Sequence, residues 1–240
     1  MAKYELLNNI DHKDIKIIGK RSSEYGDDVM YAMTFPFEFR DIQSCYPIFF
    51  QKDSETGRFY AIALFGFEAK ENLFLDENGW DASYIPLMVK RQPFLIGFQE
   101  TQGQAEAERK RVVTIDMESP RVSHSEGDNI FLEHGGRTDF LDKTTAVLET
   151  VHNGHEHNIG FIDALLEFDL LESFTLEITL DDGSNNQLLG YYTINEDKVR
   201  ALNGDALGKL NSVDYLQPIY MIIASHSRMA ALVGKKNAQL

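Results

Sequence analysis

From Leu141 onward a largely apolar set of residues in this chain falls into steps of three and four. Leu141, Thr144, Leu148, Val151, His155, Ile159, Ile162 and Leu166 draw one stripe. A helix turns once in about 3.6 residues, so this spacing predicts a single long helix within residues 138–171, with one face buried. No other feature constrains the fold as much, because so long a helix needs a large apolar surface to lie against. Gly154 and Gly160 fall within the same stretch. Each weakens a helix by about 1 kcal/mol relative to alanine, which marks both as places for a break or kink.

The hundred residues before this stretch read mainly as strands. Residues 15–18 and 29–34 are short apolar or alternating runs, separated by the turn-rich Ser-Ser-Glu-Tyr-Gly-Asp-Asp. Residues 35–44 hold one or two helical turns, with Pro36 suited to a first helical position. Residues 47–51 and 59–67 read as a hairpin, whose connector Lys52-Asp-Ser-Glu-Thr-Gly-Arg supplies polar residues and a glycine. Residues 94–98 and 111–115 are further strands. Residues 119–136 are polar and without period, an excursion between a strand-rich subregion (1–118) and a helix-rich one (137–240). Another hairpin, 174–180 with 187–194, turns through Asp181-Asp-Gly-Ser-Asn-Asn, and helices at 196–201, 205–210 and 216–233 close the chain. Blocks of strand and helix without regular βαβ alternation predict an α+β fold. We expect mostly antiparallel sheet with a long central helix and a C-terminal helix, in a single domain over residues 1–240.

Charge narrows the partners. Lys plus Arg is 23 and Asp plus Glu is 38, a net charge of −15. Such a surface repels phosphate backbones and anionic headgroups, so nucleic acid is not an expected partner. The basic triplet Arg109-Lys110-Arg111 lacks interleaved aromatics and reads as a solvated loop or strand edge. No run of about 18 apolar residues occurs, so no membrane insertion is expected. The first residues carry no apolar signal-peptide core, and Cys45 has no second cysteine to pair with. The expected compartment is the cytoplasm. Glycine-rich nucleotide loops, a Gly-x-Ser-x-Gly elbow and paired cysteines are missing, which lowers the case for several familiar enzyme classes.

Histidines supply the local candidates for metal chemistry. In His152-Asn-Gly-His155-Glu-His157, His152 and His155 lie three apart and would share one helix face, a geometry open to a metal. His157 would join them only if the helix broke at Gly154. The bland alternative packs His155 in the apolar stripe and leaves His152 and His157 as polar helix residues. Glu149-x-x-His152 has the spacing of carboxylate-bridged di-iron bundles, but no second such motif exists here. His124-Ser-Glu126 has a His-x-carboxylate spacing in an irregular stretch, a weak signal. His226 falls in a stripe with Ile219, Ile222, Met229 and Val233, so it is either a hydrogen-bonded core histidine or a group facing a ligand. None of these names a cofactor.

The least ordinary stretch is residues 71–94, Glu-Asn-Leu-Phe-Leu-Asp-Glu-Asn-Gly-Trp-Asp-Ala-Ser-Tyr-Ile-Pro-Leu-Met-Val-Lys-Arg-Gln-Pro-Phe. It holds the only tryptophan, and Pro86 and Pro93 confine any helix to the few residues between them. One reading is a recognition pocket for an anionic or extended ligand, built from Trp80, Tyr84, Arg91 and Phe94. The other is a compact cross-over whose aromatic residues cap a sheet, and from the residues alone that reading is favoured.

The same stretch carries a family resemblance. Glu71-Asn-Leu-Phe-Leu-Asp, Gly79-Trp-Asp-Ala-Ser-Tyr-Ile-Pro86 and Arg91-Gln-Pro-Phe94 resemble the signature region of the bacterial SapC family. Tyr46-Pro-Ile-Phe49, Gly127-Asp-Asn-Ile-Phe131, Gly190-Tyr-Tyr-Thr-Ile194 and Leu216-Gln-Pro-Ile-Tyr220 extend the similarity over nearly the whole chain. The resemblance implies a cytoplasmic accessory to nutrient uptake or to modification of a transported molecule. Genes for TonB-dependent receptors, halogenase-like proteins and cupin-like proteins often lie beside such members. It brings no catalytic residues with it. The expectation is therefore a non-catalytic binding or adaptor protein that takes a protein partner or a small molecule, in a form that allows a homo-oligomer. Its binding residues would be Trp80, Tyr84, Arg91, Phe94 and His226. Two alternatives stand beside it: a metal- or haem-handling protein or enzyme using His226 or the His152/His155 pair, and a surface-layer-associated component.

Overall fold

The computed structural model describes residues 2–99 and 110–240. Strands β1 (Tyr4–Leu6) and β2 (Lys16–Ile17) precede β3 (Tyr31–Thr34). A 3-10 turn at Pro36–Glu38 leads into α1 (Phe39–Cys45) and the hairpin of β4 (Ile48–Lys52) and β5 (Phe59–Leu64). The short β6 (Leu75–Asp76) and β7 (Gly79–Trp80) come before α2 (Leu87–Lys90), β8 (Phe94–Gln99) and β9 (Lys110–Asp116). Then follow β10 (Val122–Ser123), β11 (Asp128–Asn129) and the long helix α3 (Asp139–Glu167). A second hairpin, β12 (Leu171–Thr179) with β13 (Asn185–Ile194), leads to α4 (Glu196–Arg200), α5 (Gly204–Ser212), α6 (Leu216–Ser225) and α7 (Arg228–Asn237). Every strand pairing among the described residues is antiparallel, and the class is α+β as expected. No described helix is long and apolar enough to cross a membrane. Of the basic triplet, Arg109 lies outside the described residues, and Lys110 and Arg111 are exposed on β9.

The chain forms two compact units, each assembled from two separated stretches. The first comprises Met1–Asp27 and Leu87–His152. It holds two three-stranded sheets, β1-β9-β8 and β10-β2-β11. Ile15, Ile17, Phe94, Ile115, Ile130 and Leu148 form its core. A buried ion network also lies here. Asp27, fully buried, accepts from Arg121 at 2.5 Å and from Arg21 at 3.0 Å.

The second unit comprises Asp28–Pro86 and Asn153–Leu240. Its sheet runs β12-β13-β4-β5-β3. Residues 61–64 of β5 are all fully buried although successive side chains point to opposite faces, so both faces of the sheet's centre are covered. Helices α1 and α6 pack on each other, and Ser225 ties α6 to β4 by accepting from the Ile48 N–H at 2.9 Å. Asn195 and Asn203 cap α4 and α5, each accepting a backbone N–H three residues on at 2.9 Å. Where one C-terminal helix was expected over 216–233, there are two. The Ser225 hydroxyl donates to Ile222 O at 2.6 Å and the Ser227 hydroxyl to Ala224 O at 2.9 Å, competing with the helical ladder at the junction.

Helix α3 departs from the predicted stripe in an informative way. It runs unbroken through Gly154 and Gly160. Its buried line begins as expected at Leu141, Thr144 and Leu148 and includes the expected Ile162, but it also takes in Gly154, Asn158, Phe161 and Leu165. His155 is exposed, and Ile159 and Leu166 are 48% and 50% exposed. The core face thus passes through a glycine and an amide, which hydropathy does not register. Glycine serves there because Phe35 and Phe37 press against it, and Tyr215 likewise reaches Gly160.

Candidate functional site

The segment 71–94 divides between the two units. Its first part, with Trp80 and Tyr84, belongs to the second unit and is stitched into it by polar bonds. The Trp80 indole N–H donates to the Tyr46 hydroxyl at 2.7 Å, and that hydroxyl donates to Tyr84 O at 2.5 Å. The Tyr84 hydroxyl donates in turn to Glu38 Oε1 at 2.8 Å, while Thr34 donates to the other carboxylate oxygen at 3.3 Å. Glu38 is buried, so these bonds compensate a carboxylate that would otherwise be costly to remove from water. Burial, then the neighbouring Glu38 charge, raises the Tyr84 pKa far above its ordinary range, and burial does the same for Tyr46.

Apolar contacts complete this cluster. Phe65 meets Tyr46 and Trp80 edge-on, with centroids 5.0 and 5.2 Å away, and Tyr46 meets Phe74 at 4.7 Å. Charges fasten the outer side: Lys235 reaches Asp81 at 2.5 Å, and Lys236 pairs with Glu71 and with Glu68. Trp80 and Tyr84 are half-buried and their polar ends are engaged by the fold. The cross-over geometry explains why both residue types stand here.

The second part of the segment lies in the first unit. Phe94 is fully buried against Phe140, with centroids 6.4 Å apart, and anchors the chain in the core. Arg91 behaves differently. It is half-buried and lines an open cavity of about 350 Å³ together with Tyr4, Tyr25, Gln92, Asp116 and Glu118. Its guanidinium donates to Phe94 O at 2.9 Å. No carboxylate of the described residues lies within 4.0 Å of it. Burial lowers its pKa, though an arginine remains cationic. Asp116 Oδ1 is held by its own chain, accepting the Lys3 N–H at 2.9 Å and the Glu118 N–H at 3.1 Å. A guanidinium with open donors beside two tyrosine rings can grip a carboxylate or phosphate through parallel N–H bonds. Sequence reading reached Arg91 but not Tyr4, Tyr25 or Asp116, whose approach depends on the pairing of β1 and β9 and on distant turns.

The histidines take separate places. His226 stacks on Phe49, with centroids 5.2 Å apart and an interplanar angle of 13°. Its Nε2 lies 3.0 Å from the Thr193 hydroxyl, and burial lowers its pKa below 6.5. His152 is half-buried and meets Phe98 edge-on at 6.2 Å, while His155, expected in the packed stripe, is exposed because the buried face turns to Gly154 and Asn158. His157 does not join them: α3 stays intact and its Nδ1 lies 2.7 Å from Asn153 O. His124 and Glu126 are both exposed. Among the described residues, no group of three or more His, Cys, Asp or Glu side chains is placed to hold a metal ion.

Comparison with known proteins adds one match. A family model described as SapC covers residues 7–232 of the 240. No curated protein and no solved structure matches the chain.

Proposed function

The chain belongs to the SapC family, and we propose that it is a non-catalytic binding or adaptor protein whose Arg91 anchors a carboxylate or phosphate on a small molecule or protein partner. The observation that carries this reading is the Arg91 guanidinium, which lines an open cavity and has no carboxylate of the described residues within 4.0 Å, in a chain of net charge −15. An isolated cation in such surroundings gains from an incoming anion, and the flanking tyrosines offer rings for its body. Asp116 and Glu118 on the same wall disfavour a bare polyanion, so the ligand class is a single anionic group on a larger molecule. A cytoplasmic place beside an uptake or modification system belongs to the same proposal, supported by the family resemblance.

Two measurements test it. Titration with acetate or inorganic phosphate should shift the Arg91 Nε–Hε resonance, and Arg91→Gln should abolish saturable binding while the protein stays folded. Affinity capture from a lysate of the native cell should retain a partner on wild type and lose it on Arg91→Gln. Equal capture by both proteins, with no anion-dependent shift, would remove Arg91 from the role.

A further inference from the structure

A different cavity, of about 540 Å³, lies wholly within the second unit. That is the size of a small-molecule site, commonly about 300–1,000 Å³. One wall is a single face of α3, where His155, Asn158, Ile159, Ile162, Asp163 and Leu166 follow helical spacing. Opposite stand Met33 of β3, Phe59 and Tyr60 of β5, and the connector of the β4–β5 hairpin. That connector is pinned: Asp53 Oδ1 accepts the N–H of Glu55 at 3.0 Å and of Thr56 at 2.6 Å, and the Thr56 hydroxyl at 2.8 Å. Tyr60 is held as well, donating to Gln51 Oε1 at 2.8 Å. Both walls are therefore set before any ligand arrives.

Two independent features ask for an occupant. Ile159 and Leu166 are about half exposed, although apolar and in the predicted core stripe. Asn158 is the reverse, a polar side chain only 7% exposed, whose Oδ1 is buried without a hydrogen-bond partner among the described residues. A buried amide oxygen without a donor is destabilising, and natural folds rarely keep one without reason. An amide presents an acceptor beside a donor, so its complement is a donor beside an acceptor. A carboxylate would bring acceptors alone, and the cavity's two carboxylates, Asp53 and Asp163, outnumber its one arginine, Arg58, so the lining does not favour a further negative charge.

We propose that this cavity binds an uncharged small molecule with a planar apolar body and a carboxamide-type edge, which pairs with Asn158 while the body lies between Ile159, Ile162 and Phe59. The site is separate from that of Arg91 and does not depend on it.

The probes are 2-naphthamide and 2-naphthoate, which share one apolar body and differ in the edge they present. Calorimetry on wild type should give an affinity for 2-naphthamide about tenfold or more above that for 2-naphthoate. Asn158→Leu, close in size but without the amide, should bring the two affinities together. Ile159→Glu, which charges the apolar wall and leaves the amide in place, should weaken 2-naphthamide at least about tenfold. Arg91→Gln should leave the affinity ratio unchanged. Absence of saturable 2-naphthamide binding, equal affinities on wild type, or an unchanged ratio in folded Asn158→Leu would overturn the proposal. So would unweakened binding in Ile159→Glu or loss of the ratio in Arg91→Gln.

Discussion

A Cβ at Gly154 would fall 2.2 Å from Cε1 of Phe37 and 3.0 Å from Cγ of Phe35. The two rings stack 5.8 Å apart, and while Phe37 is 46% exposed and able to swing, Phe35 is 1% exposed and fixed. Alanine should gain about 1 kcal/mol of helix propensity and lose about 1–3 kcal/mol to overpacking. Gly154→Ala is therefore expected to be destabilising by roughly 1 kcal/mol in urea denaturation, and less so in a Phe37→Ala background. Gly160→Ala meets only the hydroxyl tip of Tyr215, at 2.5 Å, and should cost less. A stabilised Gly154→Ala would show that the aromatic contact does not dictate the glycine.

Asp27 gives a larger expected effect. Besides its bonds to Arg21 and Arg121, it accepts the Ser22 N–H at 3.0 Å. Arg121, 1% exposed, also donates to Ile18 O at 3.0 Å and Lys20 O at 2.9 Å. Asp27→Ala would strand a buried guanidinium and should destabilise by about 3–5 kcal/mol. Arg21→Gln should cost much less, because Arg21 keeps 16% of its side chain in water and Arg121 would still neutralise Asp27. Comparable losses in the two variants would contradict this division of labour.

How much of this was readable in the chain depends on the reach of each interaction. The β4–β5 hairpin was legible because alternation and a glycine-bearing turn are local signals. So was the extent of α3, whose periodicity spans many turns. The face that α3 buries was legible only in part, at Leu141, Thr144, Leu148 and Ile162, because Gly154 and Asn158 occupy core positions without being apolar. One clue did exist: Asn158 stands four residues after Gly154 and three before Phe161, on a helical line of its own. The network around Trp80 was hidden for another reason, since Glu38 and Tyr46 come from the turn before α1 and the residue just after it. Arg91 was legible as an unusual cation, whereas the cavity around it was not.

Alkaline pH should loosen the Tyr84 network. A tyrosine in an unfolded chain ionises near 10.0, whereas burial and the Glu38 charge hold the native Tyr84 pKa far higher. The unfolded state therefore loses its proton first. The contribution is complete below pH 10 and is lost as pH rises towards the native value. Tyr46 adds to it, and Tyr60, pushed up to about 12 by burial, adds a smaller part. Urea midpoints should fall between about pH 9.5 and 11, with a shallower fall in Tyr84→Phe. At neutral pH the same variant should lose about 1.5–3 kcal/mol, the ordinary worth of a hydrogen bond to a charged group.

His226 should give the opposite pH dependence on the acid side. Burial lowers its pKa from 6.5, opposed by a backbone bond at Ile48 and by the charge of Glu196. The imidazole is thus kept neutral against Phe49 under conditions where an unfolded chain would take up a proton. Its contribution is complete above about pH 6.5 and is lost as pH falls through the native value, because the unfolded state then binds more protons. Wild-type stability should decline from pH 7.5 to 5 by more than that of His226→Gln, which cannot titrate. At pH 7.5 the variant should be weaker by about 0.5–1.5 kcal/mol, from loss of the ring stack and the Thr193 contact. Parallel pH profiles for the two proteins would mean that His226 titrates alike in the folded and unfolded chain, and that its burial does not bias its charge.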